Sequence, residues 1–309
     1  MKGKHFIRIW DLSKDEVLKL INRALELKRT KKWERKFIGK ILGLIFEKPS
    51  TRTRISFESA IIKWGGSSIF LSSKDLQLSR GEPIKDTSRV IARYIDILVL
   101  RTYHQETIEE FAQYSSIPVI NGLSDKFHPC QVLSDIMTVV EKGKDLYKAK
   151  IVWIGDGNNV AQSWIEASAL LGFKFTLACP KGFEPEKDLL DIAKKQYNAQ
   201  INIVHDPKEA IREAEVINTD VWVSMGQEEE IQKRLSIFKK FQVNKELLQL
   251  ASPSAIVLHC LPAHREEEIT EEVLEGPQSV VWDQAENKMW LHMALIESVS
   301  YTHLTLPTN

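Results

Sequence analysis

Short apolar runs recur along this chain at 41–46, 95–100, 151–154, 175–178, 201–204, 216–218 and 256–258, with amphipathic segments between them. That alternation is the feature that most restricts the fold, because it is how strands and covering helices of a parallel α/β sheet are written in sequence. The intervening segments carry the 3.6-residue period. Phe57, Ala60, Ile61 and Trp64 fall on one helical face, and Leu133, Ile136, Met137 and Val140 on another. A chain of 309 residues is too long for one small core, and two domains are expected. The polar stretch 141–150 contains Gly143 and sits between a helix and a fresh strand. The boundary is placed there, giving a first domain of residues 1–141 and a second of 150–283. A closing amphipathic helix over 284–297 precedes residues 298–309, where the helical pattern yields to β-branched and hydroxylated residues and a proline. Those last residues read either as a non-native tail or as an ordinary frayed end.

Charge narrows the function classes. Lys plus Arg number 42 and Asp plus Glu number 42, so no global field draws the chain to nucleic acid or to an anionic membrane. An anion site must be local. The basic stretch 28–36 reads as a solvated helix end and loop. Cys130, Cys179 and Cys260 are far apart and odd in number, which suits a reducing compartment. The N-terminus lacks the apolar core of a signal peptide, and no apolar run is long enough to span a bilayer. The cytoplasm is the expected location.

Five sequence elements carry chemistry. Ser50-Thr51-Arg52-Thr53-Arg54 follows the run 41–46 and the turn Glu47-Lys48-Pro49, and it opens a helix. A helix N-terminus presents unpaired N–H groups and a positive dipole end. Three hydroxyls add donors, and Arg52 adds a planar fork suited to phosphate oxygens. The competing reading is that Ser50 only caps the helix. In His128-Pro129-Cys130-Gln131, Pro129 fits a first helical turn, which would aim His128 and Gln131 at one helix end as donors to a carbonyl and an amide. Arg101 immediately follows 95–100, at the kind of strand end where ligands bind in such sheets, or else is a surface arginine.

Gly155-Asp156-Gly157-Asn158-Asn159 mimics the opening of a dinucleotide fingerprint, but Val160 replaces the third glycine and no acidic residue closes the next strand. NAD binding is not expected. Asn158 and Asn159 offer amides to a carboxylate or amine, or simply make a turn. Asp220, in Asp220-Val221-Trp222-Val223-Ser224-Met225-Gly226, could pair with a substrate ammonium. His259-Cys260-Leu261-Pro262, with His264 nearby, hints at a metal cluster. Adjacent strand residues point to opposite faces, so zinc is not expected. Cys260 has no evident general base in the sequence, so covalent catalysis is not indicated.

In this order the five elements resemble the aspartate/ornithine carbamoyltransferase family over most of residues 1–296. The resemblance implies an α/β fold of two doubly wound parallel-sheet domains, the active site in the cleft between them and the last helix returning to the first domain. It implies transfer of a carbamoyl group from carbamoyl phosphate to the side-chain amine of L-ornithine, giving L-citrulline, with no cofactor and no metal. Ser50, Thr51, Arg52, Thr53, Gln77, Arg101, His128, Gln131, Cys260, Leu261 and Lys288 would bind carbamoyl phosphate, with Arg101, His128, Gln131 and Cys260 catalytic. Asn159, Asp220, Ser224 and Met225 would bind ornithine. Gln77 would reach in from a neighbouring subunit of a homotrimer or a multiple of trimers. Two features depart from the family pattern: Lys288 stands where an arginine is usual, and the last helix loses its pattern near Glu297. Both imply reduced activity. The alternatives are a carbamoyltransferase for another amine, such as putrescine, or a weakly active or non-catalytic paralogue.

Overall fold

Every pairing between strands is parallel among the described residues, 4–223 and 231–300 of the computed structural model. The chain divides into two units, Met1–Leu133 with Asn287–Asn309, and Ser134–Glu286. In the first unit α1 (Lys14–Thr30), β1 (Ile41–Phe46), α2 (Thr51–Lys63), β2 (Ser67–Ser72), α3 (Ile84–Ile91), β3 (Ile97–Arg101), α4 (Gln105–Tyr114) and β4 (Val119–Leu123) lead into α5 (Pro129–Glu141). In the second, β5 (Ile151–Ile154), α6 (Asn159–Leu171), β6 (Phe175–Ala178), α7 (Lys187–Tyr197), β7 (Ile201–Val204), α8 (Pro207–Ile211), β8 (Val216–Thr219), α9 (Ile231–Phe238), α10 (Lys245–Leu248), β9 (Ile256–His259) and α11 (Glu271–Leu274) lead into α12 (Val281–Ser300). The chain passes from the first unit to the second inside α5, upstream of the polar stretch 141–150, and returns to the first inside α12.

The first sheet has the order β2-β1-β3-β4, and its central strands are apolar almost throughout because both faces are covered. Two strands escaped the sequence pattern. β2 is a half-exposed edge rich in serine, and β4 carries Asn121 and Gly122. At Gly122 a Cβ would lie 3.1 Å from the Leu100 carbonyl oxygen and 3.5 Å from Thr53 Cγ2, so glycine lets β4 approach both. β3 begins at Ile97 rather than Ile95 and ends on Arg101, which is therefore the last strand residue and not the first beyond it. Phe57, Ala60, Ile61 and Trp64 are fully buried, as their spacing predicts. The second predicted face fails at one position: Val140 is exposed and Val139 is buried, because α5 is buried around nearly its whole circumference and lacks a single apolar stripe.

The final helix does not stop at Glu297. It continues through Ser300, since Leu291, Leu295 and Val299, four residues apart, are all buried, and this burial overrides weak helix propensity. Within the first unit the helix is held by Trp64 Nε1 donating to the Met293 carbonyl (2.9 Å) and by Glu297, which accepts from Arg23 (2.7 Å) and Lys36 (3.0 Å). Although burial opposes it, these cations hold the Glu297 carboxyl below the ordinary value. A depressed carboxyl contributes stability above its unfolded pKa, and that stability is lost as pH falls through the folded value. Glu297→Gln is therefore expected to cost about 1–2 kcal/mol in urea unfolding at neutral pH. The difference from the parent should vanish in acid below the usual carboxylate range, and an equal loss at both pH values would contradict this.

The second sheet runs β7-β6-β5-β8-β9. Val152 and Ile154 of β5, Ile217 of β8 and Val257 of β9 build its core with Trp222, Phe238 and Phe241. No helix among the described residues is long and apolar enough to cross a membrane.

Candidate active site

Each sheet has one place where the chain order reverses, and ligands of open parallel sheets bind at the strand carboxyl ends there. In the first sheet this lies between β1 and β3, paired Phe46 to Arg101. In the second it lies between β5 and β8, paired Ile154 to Thr219. The polar motifs follow these strands.

At the first reversal, Ser50 is the N-cap of α2, and its hydroxyl accepts from the Thr53 N–H at 3.2 Å. Capping and anion binding are thus compatible. The Ser50 proton remains available, and the Thr51 and Arg52 N–H groups have no intrahelical acceptor. The two arginines differ. Arg54 pairs with Glu58 at 3.1 Å and lies 3.7 Å over the Phe70 ring. The half-buried Arg52 has no ion-pair partner among the described residues. Glu47 accepts from the Tyr103 N–H (2.7 Å), while the buried Lys48 pairs with Asp125 and lies 4.4 Å over Tyr103, which ties the loops after β1, β3 and β4 together.

Arg101, His128, Gln131 and Lys288 are all buried in this unit. Lys288 Nζ donates to Thr53 Oγ1 at 3.2 Å, which brings α12 to the start of α2. Burial pushes the His128 imidazole well below its ordinary value, and Lys288, Arg101 and His292 add to the effect. His128 is therefore a neutral N–H donor, suited to a carbonyl oxygen and unable to give up a proton cheaply. Cys130 is inert here: burial raises its thiol to about 12, and it donates to the Asn121 carbonyl at 3.3 Å. Gln77 is exposed at the start of a short 3-10 helix, 77–80.

At the second reversal, Asp220 follows β8 and accepts from Asn158 Nδ2 (2.9 Å) and from Cys260 Sγ (3.0 Å). Asn158 also caps α6 by accepting from the Val160 and Ala161 N–H groups. Its amide is thus internally engaged, and half-buried Asn159 stands beside it. The glycine loop makes no dinucleotide site. Gly157 donates to the Phe183 carbonyl at 2.9 Å, and a Cβ there would lie 2.4 Å from Pro185 N, so this glycine serves chain-on-chain packing. Ser224 and Met225 lie outside the described residues.

The strand pleat does not separate His259 from Cys260, contrary to the expectation from their adjacency. β9 ends at His259, the chain turns, and ligand-type atoms of Asp220, His259 and Cys260 fall within 4.8 Å of one another. The donor chemistry is nonetheless poor for a metal. His259 Nδ1 accepts from the Leu261 N–H (2.9 Å) and Nε2 faces Glu268 (2.8 Å), so neither nitrogen is available without breaking a buried bond. His264 falls in a different group, with Glu267 and Glu268.

Sequence reasoning missed His292, Asn158 as a partner of Asp220, Glu268 and Lys48. Only His292 left a signal: it lies four residues after Lys288 on one helix and stacks on Phe57 at 3.5 Å. Both of its ring nitrogens lack hydrogen-bond partners among the described residues, and burial pushes it well below its ordinary value, so it too is neutral.

The family described as "Aspartate/ornithine carbamoyltransferase, carbamoyl-P binding domain" matches residues 4–141, and "Aspartate/ornithine carbamoyltransferase, Asp/Orn binding domain" matches 147–299. An ornithine carbamoyltransferase of Desulfotalea psychrophila is 53% identical over 296 residues, which is 95% of this chain and 98% of that protein. One of Geobacter sulfurreducens is 50% identical, covering 96% and 99%. Among solved structures, ornithine carbamoyltransferase from Pyrococcus furiosus superposes with a TM-score of 0.92 at 44% identity over 96% of this chain and 97% of that one. The anabolic enzyme of Campylobacter jejuni gives 0.90 at 43%, over 96% and 98%.

Proposed function

The chain belongs to the aspartate/ornithine carbamoyltransferase family, and from that premise we infer that it transfers the carbamoyl group of carbamoyl phosphate to the side-chain amine of L-ornithine. The products are L-citrulline and phosphate. The observation that carries the acceptor's identity is the near-full-length similarity to proteins named for ornithine, combined with a carboxylate, Asp220, at the second sheet's reversal. An α-amino acid presents the ammonium such a carboxylate would hold; a plain diamine reading gains no support from these relatives.

Ser50, Thr51, Arg52 and Thr53 hold the phosphate in this reading, supported by the capped helix start and the uncommitted Arg52 fork. Lys288 reinforces them through Thr53. Arg101, His128 and Gln131 hold the carbamoyl group. The neutral His128 and the Arg101 cation stabilise the oxyanion that forms when the amine nitrogen bonds to the carbamoyl carbon. The C–O bond to phosphate then breaks, and the proton lost by the nitrogen ends on the departing phosphate. Asn159 and Asp220 hold ornithine, with Ser224 and Met225 assigned to the same task. In this reading Cys260 orients the attacking amine, supported by its hydrogen bond to Asp220. Binding two reactants together supplies much of the rate.

The active assembly in this reading is a homotrimer or a multiple of it, with Gln77 serving a neighbouring subunit. The exposed position of Gln77 and of Ile55, Ile62 and Ile69 supports that. The reaction belongs to arginine metabolism. A cytoplasmic setting fits three cysteines that form no disulfide.

The test is citrulline formation with ornithine, acetylornithine, putrescine or aspartate as acceptor. Ornithine should be strongly preferred, and kcat/KM for ornithine should rise from about pH 6 to about pH 9, because an alkyl ammonium cannot attack and holds its proton well above neutrality. Preference for putrescine would overturn the acceptor assignment, and a flat profile would overturn attack by the neutral amine.

A further inference from the structure

Arg234 of α9 is buried, yet it belongs to none of the motifs described above. Its Nε donates to the Trp222 carbonyl at 2.6 Å, and its Nη2 bonds the Asp156 carboxylate. Its guanidinium lies 4.9 Å from the Phe183 ring centre and 5.3 Å from that of Phe238. The two hydrogen-bond partners sit at informative places. Trp222 comes two residues after Asp220, and Asp156 two residues before Asn158. Arg234 thus fastens the loop after β8 to the loop after β5, the same two loops that the Asn158–Asp220 hydrogen bond joins directly.

Resting on the reading of Asp220 and Asn159 as ornithine ligands, we propose that Arg234 is a positioning residue for the amino-acid acceptor, fixing the spacing of the β5 and β8 loops so that Asp220 and Asn159 meet the substrate together. The planar fork explains the choice of residue: it reaches a carbonyl and a carboxylate at fixed separation while its faces pack on aromatic rings, which a lysine cannot do. Stability alone is a poor explanation. A buried ion pair is commonly matched or surpassed by apolar residues of similar volume. Moreover, Asp156 remains raised to about 6, chiefly by burial and further by Asp220, despite the opposing pull of Arg234. The pair therefore only partly offsets the cost of burying that carboxylate.

The experiment compares the full-length parent with Arg234→Met, Arg234→Lys and the double variant Arg234→Met/Asp156→Asn. It measures steady-state kinetics, calorimetric binding of carbamoyl phosphate alone, and urea unfolding. Arg234→Met should raise KM for ornithine about tenfold or more while carbamoyl phosphate binding stays within about twofold. Adding Asp156→Asn removes the unpaired buried carboxylate, so the unfolding midpoint should recover, but KM should stay high because the Trp222 carbonyl still lacks its donor. Recovery of KM in step with stability would overturn the positioning role, as would equal loss of carbamoyl phosphate binding. If Arg234→Met does not fold, Arg234→Lys decides: it keeps a charge at Asp156 without bridging both partners, and an unchanged KM there overturns the proposal. Failure of the underlying reading is visible separately: Asp220→Asn, made in the otherwise unchanged parent, would then leave the KM for ornithine intact.

Discussion

Arg52→Ala is expected to weaken carbamoyl phosphate binding by about two to three orders of magnitude, the consequence of removing one partner from a desolvated, hydrogen-bonded charge pair. Arg52 lies in the first turn of α2, beside the Ser50 cap and two N–H groups that the helix cannot satisfy. Arg54, two residues on, is already committed to Glu58 and to the face of Phe70. Arg54→Ala should therefore change binding little, and the contrast between the two arginines is the decisive part of the measurement. Calorimetric titration of each variant with carbamoyl phosphate reads the effect. The cap and the fold do not depend on the Arg52 side chain, so unfolding in urea should be close to that of the parent. Equal effects at both arginines would remove Arg52 from the site and leave general positive charge as the cause.

Asp220→Asn should lower kcat/KM for ornithine by about a hundredfold to a thousandfold, again the size expected when a buried ion pair with a substrate ammonium is truncated. The substitution is nearly isosteric but removes the charge and turns one oxygen into a donor. Both carboxylate oxygens are in use, one accepting from Asn158 Nδ2 and the other from Cys260 Sγ. A side-chain amide has one oxygen where the carboxylate has two, so it can satisfy only one of those donors in place, and Cys260 or Asn158 also loses its orientation. Carbamoyl phosphate binding measured alone should survive. Cys260→Ser, which keeps a donor to Asp220, should fall well short of that loss. Should Asp220→Asn leave ornithine kinetics intact, Asp220 would be a structural acceptor for its two neighbours and nothing more.

The sequence determined what local chemistry and order can determine. Apolar runs separated by amphipathic segments fix parallel α/β units, because a strand covered on both faces must be apolar along its length. Ser50 before a helix, with Thr53 three residues on, writes the N-cap directly, since that bond spans only three residues. The edge strands β2 and β4 were not legible: β2 pairs on one side only and tolerates serine, whereas β4 also bridges to Phe6, and its Asn121 and Gly122 answer to Ile7, Leu100 and Thr53, all distant in sequence. Nor was the end of α12, where burial of Val299 outweighs local propensity.

The tertiary structure decided which distant residues share a site. Asp220 meets Asn158 across 62 positions and Cys260 across 40, and Lys288 meets Thr53 across 235. No local pattern encodes these meetings. They follow from strand order: β8 lies between β5 and β9, so the loops carrying Asn158, Asp220 and Cys260 emerge side by side. Which edge of a sheet each crossover joins is chosen by the packing of helices against the completed sheet, a sum over contacts far apart in sequence. The same holds for charge. The His128 imidazole is neutral because the folded unit buries it beside Lys288 and Arg101, whereas an isolated His-Pro dipeptide would titrate in the ordinary range.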